Sequence, residues 1–147
     1  MEGMRAFLRE RRDELDQGAT YFLNIDSVGR GDVRYVTSEG LAVSLAMDRR
    51  LLELCGAIAA ADREQGNRFR AEPLSRGFAG DALPVRLARL PVTTITTLEP
   101  GEIVPANYHR LVDVPDRIDP DTLDRAHGFA LELVRQLDRD VGRGPSR

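Results

Sequence analysis

The sequence predicts an α/β protein, a three-layer α/β/α sandwich around a mostly parallel mixed sheet. Three observations carry this. Strand-like and helix-like segments alternate along the chain; residues 92–98 form a strongly β-prone run in mid-chain; and residues 119–141 repeat apolar side chains at the spacing of one helical face. At 147 residues the chain is long enough for one domain that buries about two-thirds of its unfolded surface, and nothing in it marks a second.

Taken in order, Met4, Phe7, Leu8, Arg11 and Leu15 sit at helical spacing with charges between them, and Gly18 ends the run. That helix starts with the chain itself, as though something upstream had been removed. Tyr21-Phe22-Leu23-Asn24-Ile25-Asp26 then reads as a buried strand that runs into a carboxylate and breaks at Gly29. In open α/β sheets ligands sit outside the carboxyl ends of strands, so Asp26 is placed to meet a metal or a polar substrate. The plainer reading makes Asp26 a turn cap, because Asp-Ser followed by Gly is ordinary turn chemistry.

Gly29 to Asp32 is expected to turn, and Val33 to Thr37 to alternate as a second strand ending at Glu39-Gly40. The Arg30-Gly31-Asp32 triplet matches an adhesion tripeptide, which a short strand connection produces by accident. Asp48 can cap the helix that follows, with Leu51, Leu52, Cys55, Ile58 and Ala59 on its buried face and Gly66 at its end. Residues 69–74 predict a short strand whose Pro73 belongs at an edge. A helical segment over 83–88 leads through Pro91 into Val92 to Leu98, the expected central strand.

The last helix is clearly signalled. Asp119 suits the N-cap, Pro120 the first helical position, and Asp121 the positive end of the dipole. Leu123, Ala126, Ala130, Leu133, Val134, Leu137 and Val141 form its face, His127 lies beside that face as a structural or solvated residue, and residues 142–147 read as a frayed tail.

Composition bounds the function. Charged residues are 31% and hydrophobic residues 41%, with formal net charge -3, so the chain lacks the basic footprint of a nucleic-acid binder. The run Arg9, Arg11, Arg12 is interleaved with Glu10, Asp13 and Glu14 and reads as a solvated helix face. A lone Cys55 excludes an internal disulfide and is expected in the core. No apolar run is long enough to span a bilayer, and the first residues do not form a signal peptide, which leaves the localisation undecided.

Two stretches together carry a resemblance. Asn24-x-Asp26-x-x-Gly29 and Tyr108-His109 followed by Asp113-Val114-Pro115-Asp116-Arg117-Ile118-Asp119 resemble the zinc aminopeptidases of the M28 peptidase family. The resemblance implies metal ligands at Asp26 and His109, and a phenol at Tyr108 that helps polarise the substrate carbonyl. It covers residues 1–147 as the C-terminal half of a catalytic domain truncated at the N-terminus. In the loop over 75–84, Asp81 matches the family, Gly80 and Ala82 replace its serine and histidine, and Arg76 is a displaced candidate for substrate contact.

The parent enzyme would use two zinc ions to cleave an N-terminal peptide bond of a peptide substrate with a metal-activated water. The upstream His, bridging Asp and Glu-Glu pair have no counterpart here, so the resemblance implies poor zinc binding and no activity in this chain alone. A non-catalytic binding or structural module is the alternative. A truncated half-domain would also expose apolar sheet surface and self-associate through it.

Overall fold

The computed structural model describes residues 1–40, 43–75 and 79–142. Its centre is a mixed sheet in the order β1-β6-β2-β5, formed by β1 (Phe22–Ile25), β6 (Val92–Leu98), β2 (Asp32–Val36) and β5 (Glu72–Leu74). β1 runs parallel to β6 and β5 parallel to β2, whereas β2 and β6 are antiparallel, with Tyr35 opposite Ile95. The predicted α/β sandwich with a mostly parallel mixed sheet is what forms. The most β-prone run takes an interior position, and all seven of its residues are buried.

Four of those seven are threonines, and their hydroxyls are used. Thr93 Oγ1 donates to the Val36 carbonyl at 3.1 Å and Thr97 Oγ1 to the Ser27 carbonyl at 3.1 Å, while Thr94 Oγ1 accepts from Asn24 Nδ2 at 3.2 Å. β-branching supplies the strand preference and the hydroxyls tie β6 to its surroundings, so the polar atoms are buried with partners.

One face of the sheet is covered by α2 (Arg49–Glu64) and α4 (Pro120–Gly142), which pack on each other. Val33, Tyr35, Ile95, Cys55, Ile58, Ala126, Phe129 and Leu133 form the core there. Cys55 is fully buried in it, and burial pushes its thiol up to about 12. The other face meets α1 (Glu2–Glu10) and α3 (Ala82–Leu87) through Val36, Val85, Leu90, Val92 and Met4. Two small strands, β3 (Ser38–Glu39) and β4 (Leu45–Ala46), form a separate antiparallel ribbon.

Several expectations shift. The first helix ends at Glu10 and a 3-10 turn takes Arg12–Glu14. The strand expected over 69–74 forms only from Glu72, because Arg70 takes a left-handed φ of 52° and Phe69 turns its ring edge-on to Phe129, centroids 5.8 Å apart. Glu39 enters the ribbon instead of closing β2. On α4 the deepest residue is Phe129, fully buried, while Leu123, Val134 and Val141 face outward. The buried stripe therefore runs through 126, 129, 130 and 133. His127 is exposed, and the helix continues to Gly142; residues 143–147 and the Arg76 candidate lie outside the described residues.

The Arg30-Gly31-Asp32 triplet is locked into the fold. Gly31 has φ 91°, and a β-carbon there would sit 2.2 Å from the Leu98 carbonyl carbon, so only glycine fits. Arg30 pairs with Glu99 at 3.0 Å, and the Gly31 carbonyl accepts from Thr122 Oγ1 at 3.1 Å, which fastens the start of α4 to this turn.

Candidate functional site

Alternation along β1 and β6 decides which side chains reach the less covered half of the sheet. Phe22 and Val92 lie in register at the end packed under α3, and two and four residues further on the same face carries Asn24, Asp26, Thr94 and Thr96. The change from apolar to polar along one face leaves a cleft where the helix cover stops. An inner chamber is lined by Asn24, Asp26, Val36, Glu39, Thr94 and Thr96, with Ala79, Gly80 and Pro105 around it. An outer chamber lies beyond the ends of β1 and β6, toward Arg30, Asp113 and Arg117. Ser27, Pro105 and Tyr108 line both.

Glu39 is the unusual group. It is 3% exposed; its Oε1 accepts a short hydrogen bond from the Gly80 N–H, and its Oε2 is buried with no hydrogen-bond partner. Burial pushes its carboxyl above the usual range, the Gly80 N–H opposes that, and the negative charges of Asp26 and Asp81 push the same way as burial. Gly80 lies close against the group: a β-carbon on it would be 3.0 Å from Glu39 Oε1, 3.8 Å from Asp26 Oδ2 and 4.0 Å from Asn24 Nδ2. Those three side chains thus converge on one point. Asp26 is exposed, and its Oδ1 accepts from Ser27 Oγ at 3.1 Å.

Left-handed backbone clusters at the same place. Ser27, Asn107 and His109 have φ of 56°, 61° and 55°, each costing about 1–3 kcal/mol where nothing compensates, and such residues gather at sites that must hold a special geometry. Of the sequence candidates, the structure brings Asp26 and Tyr108 to one chamber. His109 is exposed, is not among the residues lining either chamber, and sets its ring against that of Tyr108 with centroids 4.1 Å apart.

No protein-family model matches the chain, and no curated relative matches it. Among solved structures it is similar to the 5'-methylthioadenosine/S-adenosyl homocysteine nucleosidase of Campylobacter jejuni, at 13% identity and a TM-score of 0.47, over 90% of this chain and 74% of that one. It is also similar to a Francisella philomiragia protein assigned to the same nucleosidase class, at 14% identity and a TM-score of 0.48, over 90% of this chain and 75% of that one. Likeness at this level assigns no activity.

The zinc aminopeptidase expectation is overturned. No family model supports the resemblance. Among the described residues no group of three or more His, Cys, Asp or Glu side chains is arranged to hold a metal ion, so neither two zinc ions nor the metal-activated peptide-bond hydrolysis built on them is supported. The physical reason lies in the neighbours of Asp26: a buried carboxyl with a raised pKa, an amide and threonine hydroxyls, with the imidazole of His109 outside the chamber lining.

Sequence reasoning missed Glu39, which it took as the end of a strand. The available signal was a carboxylate between Ser38 and Gly40, and that pattern is indistinguishable from a turn until the ribbon β3–β4 folds it inward. No helix among the described residues is long and apolar enough to cross a membrane.

Proposed function

We propose that the protein is a hydrolase in which Glu39 acts as general acid and Asp26 as general base. The observation that carries this reading is the buried carboxyl of Glu39, one oxygen of which has no hydrogen-bond partner, in the lining of a polar chamber shared with the exposed Asp26. Burial raises the proton affinity of Glu39, which suits a carboxyl to the acid role beside an exposed carboxylate. Among the described residues the chamber lining contains no imidazole or thiol. That inventory suits protonation of a leaving oxygen or nitrogen by one carboxyl and activation of water by the other, the pair of roles that acetal hydrolysis uses. Acyl transfer would ask for an activated nucleophile or a set of oxyanion donors at the same point.

Ser27 supports the assignment by donating to Asp26 Oδ1, which leaves Oδ2 for water. Val36, Ala79 and Pro105 supply an apolar wall that raises the strength of charge interactions inside.

The test is turnover of p-nitrophenyl glycosides and purine nucleosides by wild type, Glu39→Gln and Asp26→Asn. Wild type is expected to hydrolyse at least one of them, and each variant to lose on the order of 100-fold or more in kcat. Turnover that survives both substitutions, or none with any acetal, refutes the acid–base assignment; binding without turnover would leave a ligand-binding module.

A further inference from the structure

We infer that the outward shoulder of α4 is a self-recognition surface, on which a second copy of the chain packs its own α4 in antiparallel orientation about a twofold axis. The inference is independent of the acid–base reading above.

α4 carries more apolar surface than its own core uses. Ala126, Phe129, Ala130 and Leu133 are its buried stripe, whereas Leu123, Leu131, Val134 and Val141 are between 37% and 50% exposed. At 3.6 residues per turn these four, with His127 and Asp138 between them, fall within an arc of about 80° that runs along the helix. A helix with a second apolar stripe has a second face to cover.

His127 and Asp138 identify what covers it. Both are exposed, and among the described residues neither has a hydrogen-bond or ion-pair partner. They stand about 16 Å apart along the helix axis, too far to meet each other. The stripe is also close to its own mirror image: read from its two ends, Leu123 matches Val141, His127 matches Asp138 and Leu131 matches Val134, all centred at residues 132–133. An antiparallel copy therefore sets each imidazole opposite a carboxylate and each leucine opposite a valine. A parallel copy sets imidazole on imidazole and carboxylate on carboxylate, an arrangement that like charges oppose. In a twofold pair one patch must fit its own copy, and this patch does. The contact is small, one helix from each side, and belongs with the interfaces under about 1,200 Å² that form transient pairs.

The experiment is sedimentation equilibrium of the full chain from about 1 μM to several hundred micromolar, with thermal melts showing that each variant is folded. Wild type is expected to pass from monomer to dimer as concentration rises. Val134→Asp, which places a carboxylate against the partner's leucine, is expected to weaken the dimer roughly tenfold or more. His127→Asp and Asp138→Lys each set like charges face to face and are expected to weaken it by a similar factor, whereas the double variant carrying both restores the opposed pair and the dimer with it. A monomer at every concentration overturns the inference and leaves the stripe to a different protein. A dimer that Val134→Asp leaves intact also overturns it, because another face then holds the copies together. Single charge variants without effect, or a double variant that fails to recover, overturn the antiparallel register.

Discussion

Glu39 faces two demands that conflict. Its position in the β3–β4 ribbon turns it away from water, and its carboxyl oxygens accept one hydrogen bond between them, from Gly80. The folded state therefore holds the Glu39 proton more tightly than the unfolded chain does. Its contribution to folding is fully present below the unfolded-state pKa and is lost as pH rises through the higher folded-state value. Glu39→Gln is accordingly expected to raise the melting temperature at pH 8 and to give little gain at pH 4, measured by thermal denaturation at both. An equal gain at the two pH values would show that ionisation of this carboxyl is not what destabilises the protein. Asp26 was legible as a candidate because a carboxylate ending a strand is visible in one dimension. Glu39 was not, because its burial depends on a ribbon whose two strands are only two residues each.

At the scale of elements, capping was the most readable signal. Asp48 Oδ1 accepts from the Leu51 N–H at 3.0 Å, and Asp119 Oδ1 from the Asp121 N–H at 3.1 Å, both at the starts that the sequence marks. Asp48→Ala is expected to cost about 1 kcal/mol, read as a lower urea midpoint with an unchanged slope. A loss below a few tenths would mean that the cap is redundant with the packing of α2. Strand existence was equally plain at β1 and β6, where apolar or β-branched runs are bounded by turn residues. Pairing direction was not, since β2 lies antiparallel to β6 through register contacts between residues far apart along the chain, such as Tyr35 with Ile95. Nor did spacing reveal that Phe129 dominates α4, because the exposed Leu123, Val134 and Val141 extend the apolar pattern around the helix.

At the scale of the molecule, two helical layers are held to the sheet by cores of different size, and Phe129 is the largest fully buried side chain. Its ring stacks on Tyr35 with centroids 6.2 Å apart and meets Phe69 edge-on, so it joins α4, β2 and the segment before β5. Phe129→Ala is expected to destabilise by about 3–5 kcal/mol. The fold supplies its own gauge for that loss. Cys55 shares the same core, and a thiol so shielded stays unreactive until α2 lifts away from the sheet. Alkylation with iodoacetamide is then a clock for breathing of this layer, and Phe129→Ala should speed it on the order of a hundredfold. Every copy of the protein thus carries a dormant chemical stopwatch, started only when its interior comes apart.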